Sequence, residues 1–144
     1  MLLGVIFLLP AVIGCDSAGP DPIPESPRHV DEADYLVTPA GLKLYDFIVG
    51  SGNRPIAGQR ISVHYTGWIE DGARFDSSRD ADPFSYIFGL GQVIPGWEEG
   101  VNGMRVGGDR QIVIPPKLAY GQQGSGPIPP NATLIFEIEL IAIE

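Results

Sequence analysis

The feature that most limits what this chain can fold into lies near its C-terminus, where Leu134, Phe136, Ile138 and Leu140 fall on one face and Glu137 and Glu139 on the other. A period of two is the signature of a β-strand with one buried and one wetted face. The same alternation recurs in Arg60 to Thr66, with Ile61, Val63 and Tyr65 opposed to Ser62 and His64. Leu42 to Val49, Phe84 to Phe88 and Asp109 to Ile114 read as further strands, and Asp71-Gly72 is a turn signal leading into Arg74-Phe75-Asp76. With 19 Gly and 14 Pro among 144 residues, long helices have little room. One stretch asks to be a helix, Pro95 to Gly103. Pro95 can open it, Glu98 and Glu99 suit the positive end of its dipole, and Gly103 is a natural stop. Trp97, Val101 and Met104 share one face, and the glycines make this helix dependent on packing. The expected fold is α+β: an antiparallel sheet of about five strands wrapped around one short α-helix.

Charge and cysteine usage exclude several functions. The balance of 9 basic against 18 acidic residues gives a net charge of −9, which disfavours nucleic acid as a partner. The only cysteine is Cys15, so no internal disulfide can form. His29 and His64 stand alone, and no Cys/His set has metal-ligand spacing, so no metal or other cofactor is expected. Ser77, His64 and Asp76 do not make a hydrolase triad, because no nucleophile elbow is present and His64 falls opposite the inward residues of its strand. Gly89 and Gly91 do not complete a phosphate loop.

Residues 1–14 are uncharged and apolar, too short to cross a bilayer, which needs about 20 residues, but suited to the core of a signal peptide. The run ends in Val12-Ile13-Gly14-Cys15, which resembles a bacterial lipobox. That resemblance implies cleavage before Cys15, diacylglycerol on its thiol, and an extracytoplasmic domain held to a bacterial membrane, on its periplasmic or cell-surface side, by the lipid alone. Residues 15–35 are rich in proline and acidic groups and poor in large apolar side chains, so an extended tether is expected there. The globular domain is then residues 36–144, and with no added dimerisation region a monomer is expected.

Within that domain aromatic residues are plentiful and activated nucleophiles absent. VHYTG (63–67), EDGARFDSSRD (70–80), GQVIPGWEEGV (91–101), AYG (119–121) and IPPNATLIFEIEL (128–140) occur in this order. Together they resemble the FKBP family of peptidyl-prolyl cis/trans isomerases, over roughly residues 36–144. The resemblance implies an apolar pocket with Trp97 as its floor and Tyr65, Phe75 and Phe136 as walls. Phe84, Val93, Ile94 and Ile128 would complete the apolar surround, the Ile94 N–H and the Tyr120 hydroxyl would hydrogen-bond substrate carbonyls, and Asp76 would be the acid at the edge. It further implies proline-containing polypeptides as substrates and FK506- or rapamycin-type macrolides as pocket ligands. A surface-tethered binding module or chaperone for proline-containing segments is the alternative. Against familiar small members, Asp80-Ala81-Asp82-Pro83 is one residue short and the loop Gln122 to Pro127 is shorter and glycine-rich.

Overall fold

The computed structural model describes residues 21–144; the apolar N-terminal run and Cys15 lie outside them. Among the described residues, seven strands and one α-helix follow in the order β1 (Leu36–Val37), β2 (Lys43–Ile48), β3 (Arg60–Ile69), β4 (Arg74–Ser77), β5 (Phe84–Ile87), α1 (Pro95–Val101), β6 (Asp109–Ile114) and β7 (Leu134–Ile143). All pairings are antiparallel, in the order β1-β2-β6-β7-β3-β4, with β5 also on β3. The count exceeds five because β1 is two residues long and because β4 and β5 share one edge of β3. β5 covers Arg60 to Val63 and β4 covers Thr66 to Trp68.

The two clearest alternations in the sequence become the two longest strands, and they lie side by side, Val63 opposite Leu140, Tyr65 opposite Ile138 and Gly67 opposite Phe136. Their inner residues meet α1. Trp97, Val101 and Met104 are all buried, as the helical spacing requires. The helix ends after Val101, and Gly103 takes the positive φ of 84° that suits glycine. Two glycines explain how so short a helix can sit so close. A Cβ on Gly96 would land inside the Ile114 side chain, and one on Gly100 would lie 2.9 Å from Ile112 Cδ1.

The outer face of the sheet departs from expectation. Residues 21–35 were expected to be a free tether, yet the described part is fastened to the sheet. Arg74 Nη1 donates to the Ile23 carbonyl at 2.8 Å and Trp68 Nε1 to the Glu25 carbonyl at 3.0 Å. Arg28 is the main clasp. It pairs with Glu137 through Nε and with Asp109 through Nη2 at 2.8 Å, and its guanidinium lies 3.6 Å from the Phe47 ring centroid. Gln111, 1% exposed, donates to the Arg28 carbonyl at 2.8 Å and accepts from the Tyr35 hydroxyl. Few large apolar groups are needed when the strap's carbonyls and one arginine satisfy polar side chains that the sheet presents outward.

Candidate active site

An open-mouthed cavity of about 450 Å³ lies between α1 and the inner face of the sheet. Its residues arrive from five elements. Tyr65 comes from β3, Phe75 and Asp76 from β4, Phe84 from β5, Trp97 from α1 and Phe136 from β7. The turn before α1 adds Gln92, Val93 and Ile94, and the loop after β6 adds Tyr120.

Trp97 and Phe136 are each 4% exposed and form the floor, while Phe84 and Tyr120 are 38% and 39% exposed at the mouth. The rings meet edge to face. Trp97 lies 5.0 Å from Tyr65 at 80° and 5.3 Å from Phe136 at 88°, and Phe75 lies 5.6 Å from Phe136 at 88°. Such contacts set positive ring edges against negative faces, which fixes ring orientation. Gly67 makes the wall possible, because a Cβ there would sit 2.7 Å from Phe136 Cε1 and 2.9 Å from Phe75 Cζ.

Asp76 is the carboxylate of the cavity, and its two oxygens have different tasks. Oδ2 accepts from the Tyr65 hydroxyl at 2.6 Å, and Oδ1 accepts from the Ser77 N–H at 2.9 Å. One oxygen therefore faces the pocket while the other secures the strand end. Burial above all, then the hydrogen bond to Asp76 and its charge, pushes the Tyr65 hydroxyl pKa well above its ordinary value. Tyr65 stays a protonated donor under any physiological condition.

Ile94 precedes α1, and its carbonyl accepts the Trp97 N–H at 2.9 Å. Neither the Ile94 N–H nor the Tyr120 hydroxyl has a hydrogen-bond partner among the described residues. Both are positioned on the cavity lining.

The cavity brings together nine of the ten pocket residues named from the sequence. Ile128 stands apart. It is 6% exposed within the core, and reciprocal backbone bonds with Ser125 close a tight turn through Gly126 and Pro127 that directs it inward. Gln92 was missed. Its Oε1 accepts the Ile87 N–H at 2.9 Å, so it braces the turn it lies on. A polar residue ahead of the apolar pair Val93-Ile94 was the available signal. His64 Nδ1 is bonded to Ser78 Oγ at 3.0 Å, while Ser77 Oγ donates to the Tyr65 carbonyl, so His64 does not pair with Ser77 and the Ser77–His64–Asp76 set does not assemble.

Comparison with known proteins agrees with this geometry. Residues 52–141 match the family model described as FKBP-type peptidyl-prolyl cis-trans isomerase. The chain is 50% identical over 105 residues to the FK506-binding protein of Neisseria meningitidis serogroup B, covering 72% of this chain and 96% of that protein. It is 49% identical over 108 residues to the FKBP-type peptidyl-prolyl cis-trans isomerase FkpA of Aeromonas hydrophila, covering 74% of this chain and 40% of that longer one. Among solved structures, AtFKBP13 superposes with a TM-score of 0.73 at 41% identity, covering 76% of this chain and 98% of that one. FkpA from Escherichia coli does so with a TM-score of 0.73 at 38% identity, covering 78% and 53%. With this sheet, this helix and this cavity, the chain belongs to the FKBP-type peptidyl-prolyl cis-trans isomerases.

Proposed function

We propose that rotation about X–Pro bonds takes place in the cavity between α1 and the sheet, with Tyr65, Phe75, Asp76, Trp97, Tyr120 and Phe136 acting on the reacting amide. Phe84, Val93 and Ile94 hold the prolyl ring and its neighbours. The observation that carries this reading is the lining itself, which is mainly aromatic and aliphatic and whose single carboxylate is already engaged by Tyr65.

The uncatalysed barrier is about 18–20 kcal/mol because twisting the amide destroys its resonance. No covalent bond is broken, so no nucleophile is required. A twisted amide has a less polar carbonyl than a planar one, so a dry aromatic surround disfavours the planar state relative to it. The Ile94 N–H and the Tyr120 hydroxyl then hold flanking carbonyls in a turn and supply positioning. A thousandfold acceleration needs only about 4 kcal/mol.

Its substrates in the cell are exported proteins, whose unassisted proline steps last tens to hundreds of seconds. Lipid on Cys15 keeps the enzyme at a bacterial membrane on the extracytoplasmic side. The uncharged run ending at Cys15 supports this placement. Macrolides of the FK506 type occupy the same cavity and compete with prolyl peptides; the similarity to the FK506-binding protein of Neisseria meningitidis supports the macrolide as a ligand.

A proline-isomerisation assay on a short X–Pro peptide tests the site. Acceleration that an FK506-type macrolide abolishes supports it, and peptide binding without acceleration leaves a binding module. For the anchor, Cys15→Ser should move the protein from the membrane to the soluble fraction. A wild type that is soluble after export overturns the lipid reading.

A further inference from the structure

The stretch from Phe84 to Trp97 holds no charged residue, and neither does 55–59, in a chain with 9 basic and 18 acidic residues. Within these two segments lie two turns that touch. The Gly58 N–H donates to the Phe88 carbonyl at 2.8 Å, and the Phe88 N–H to the Gln59 carbonyl at 2.9 Å. Gly89 lies so close to the other turn that a Cβ on it would sit 2.8 Å from Ala57 Cβ. Each turn presents one large apolar side chain to solvent, Ile56 at 65% and Leu90 at 61% exposure.

A single exposed leucine is ordinary on a protein surface. Leu90 differs in how it is held and in where it lies. Gly89 and Gly91, on either side of it, take φ of 84° and 70°. The Phe88 bonds brace the turn at its start, and the Ile87 N–H, donating to Gln92 Oε1 at 2.9 Å, braces it at its end. Gln92 and Val93 line the cavity, and two residues of chain span at most about 7 Å, so Leu90 stands at the mouth. A turn fixed before binding has little freedom left to lose when substrate covers it.

We propose that Leu90, extended by Ile56 on the adjoining turn, is a specificity subsite for the chain flanking the prolyl bond. It takes a large apolar residue three to five positions from the proline. The spacing follows from an extended chain, which advances about 3.3 Å per residue beyond the residues held in the cavity. The occupant is the substrate itself, because this ledge continues the cavity lining and carries no charge. Preferred substrates are therefore proline-containing segments of unfolded cores rather than charged, solvated tails. The subsite rests on the cavity being the isomerisation site.

The test uses the full protein and X–Pro peptides of about ten residues, in which one flanking position after another carries Leu or Ser. The wild type favours Leu by about three- to tenfold in kcat/KM at a position three to five residues from proline, mostly through KM. Leu90→Ser abolishes that preference, Ile56→Ser reduces it, and Leu90→Met keeps it. Both side chains are exposed, so the variants fold. All three process a short peptide, with at most two residues on either side of the proline, at the wild-type rate. A wild type indifferent to Leu or Ser at every position, or a Leu90→Ser protein that keeps the preference, overturns the proposal. A wild type inactive on the short peptide would instead sink the assignment of the site. The ledge is then read by NMR: Gly89 and Gly91 amide signals that move with Leu peptides and not with Ser peptides support it, and unmoved signals overturn it.

Discussion

Asp76 divides its two oxygens between the Tyr65 hydroxyl and the Ser77 N–H, and the division decides which substitution is informative. Asp76→Val removes both acceptors and so mixes pocket chemistry with strand-end stability. Asp76→Asn keeps an oxygen for Ser77 while weakening the charge-assisted bond from Tyr65. We expect Asp76→Asn to lower kcat/KM by about tenfold, or about 1.4 kcal/mol, with an unchanged melting midpoint. Peptide kinetics beside a thermal melt checks both parts, and full activity in folded Asp76→Asn removes the carboxylate charge from the mechanism. At this scale much of the pocket was readable, because each aromatic stands in a motif that marks its place. Gly67 and Ile128 were harder. Gly67 matters through the two rings that close over it, and Ile128 through a turn that points it inward; both depend on atoms distant in sequence.

The helix shows how an element can be weak in isolation and required in place. Gly96 and Gly100 cost α1 intrinsic stability, yet they let it approach Ile114 and Ile112 on β6. Gly96→Ala therefore sets two effects against each other. Helix propensity favours alanine by about 1 kcal/mol, while forcing a methyl into the Ile114 side chain costs roughly 1–3 kcal/mol. Overpacking should win, lowering the urea midpoint and reducing turnover, because Trp97 is carried on the displaced turn. A Gly96→Ala protein as active and stable as the wild type would show that the approach of helix to sheet has slack. The existence and limits of this helix were legible from Pro95, its spacing and Gly103. The sharing of one sheet edge by β4 and β5 was not, since the pairing of short strands depends on where their partner has room.

At the scale of the whole molecule, the strap and the buried hydroxyls set stability. Glu137 is 7% exposed and depends on Arg28 for its counter-charge. Removing that partner strands a buried carboxylate, but Arg28 is itself 45% exposed, so solvent screens part of the loss. Arg28→Ala should cost about 1–3 kcal/mol in denaturant unfolding and leave kcat of the folded protein unchanged, because the clasp lies on the face away from the cavity. Alkaline pH tests another global property. Tyr65 and Tyr86 hold their protons in the native state well above the 10.0 of a free tyrosine, while the unfolded chain loses them near that value. The unfolded state then binds fewer protons, so stability is intact below about pH 10 and falls as pH rises beyond it. Urea midpoints at about pH 8 and pH 11 should diverge in the wild type, and less so in Tyr65→Phe. The strap escaped the sequence reading because that reading weighed apolar burial. What fastens it is a single arginine and a few backbone carbonyls, matched to polar side chains on strands remote in the chain.

The strap also fixes the molecule's bearing. Residues 23–28 cross the outer side of the sheet, behind the floor of the cavity. The described chain therefore reaches the domain across the face of the sheet opposite α1 and the cavity. A pull from the N-terminal end is borne first by the Arg74 bond to the Ile23 carbonyl and the Trp68 bond to the Glu25 carbonyl, and only then by the Arg28 clasp.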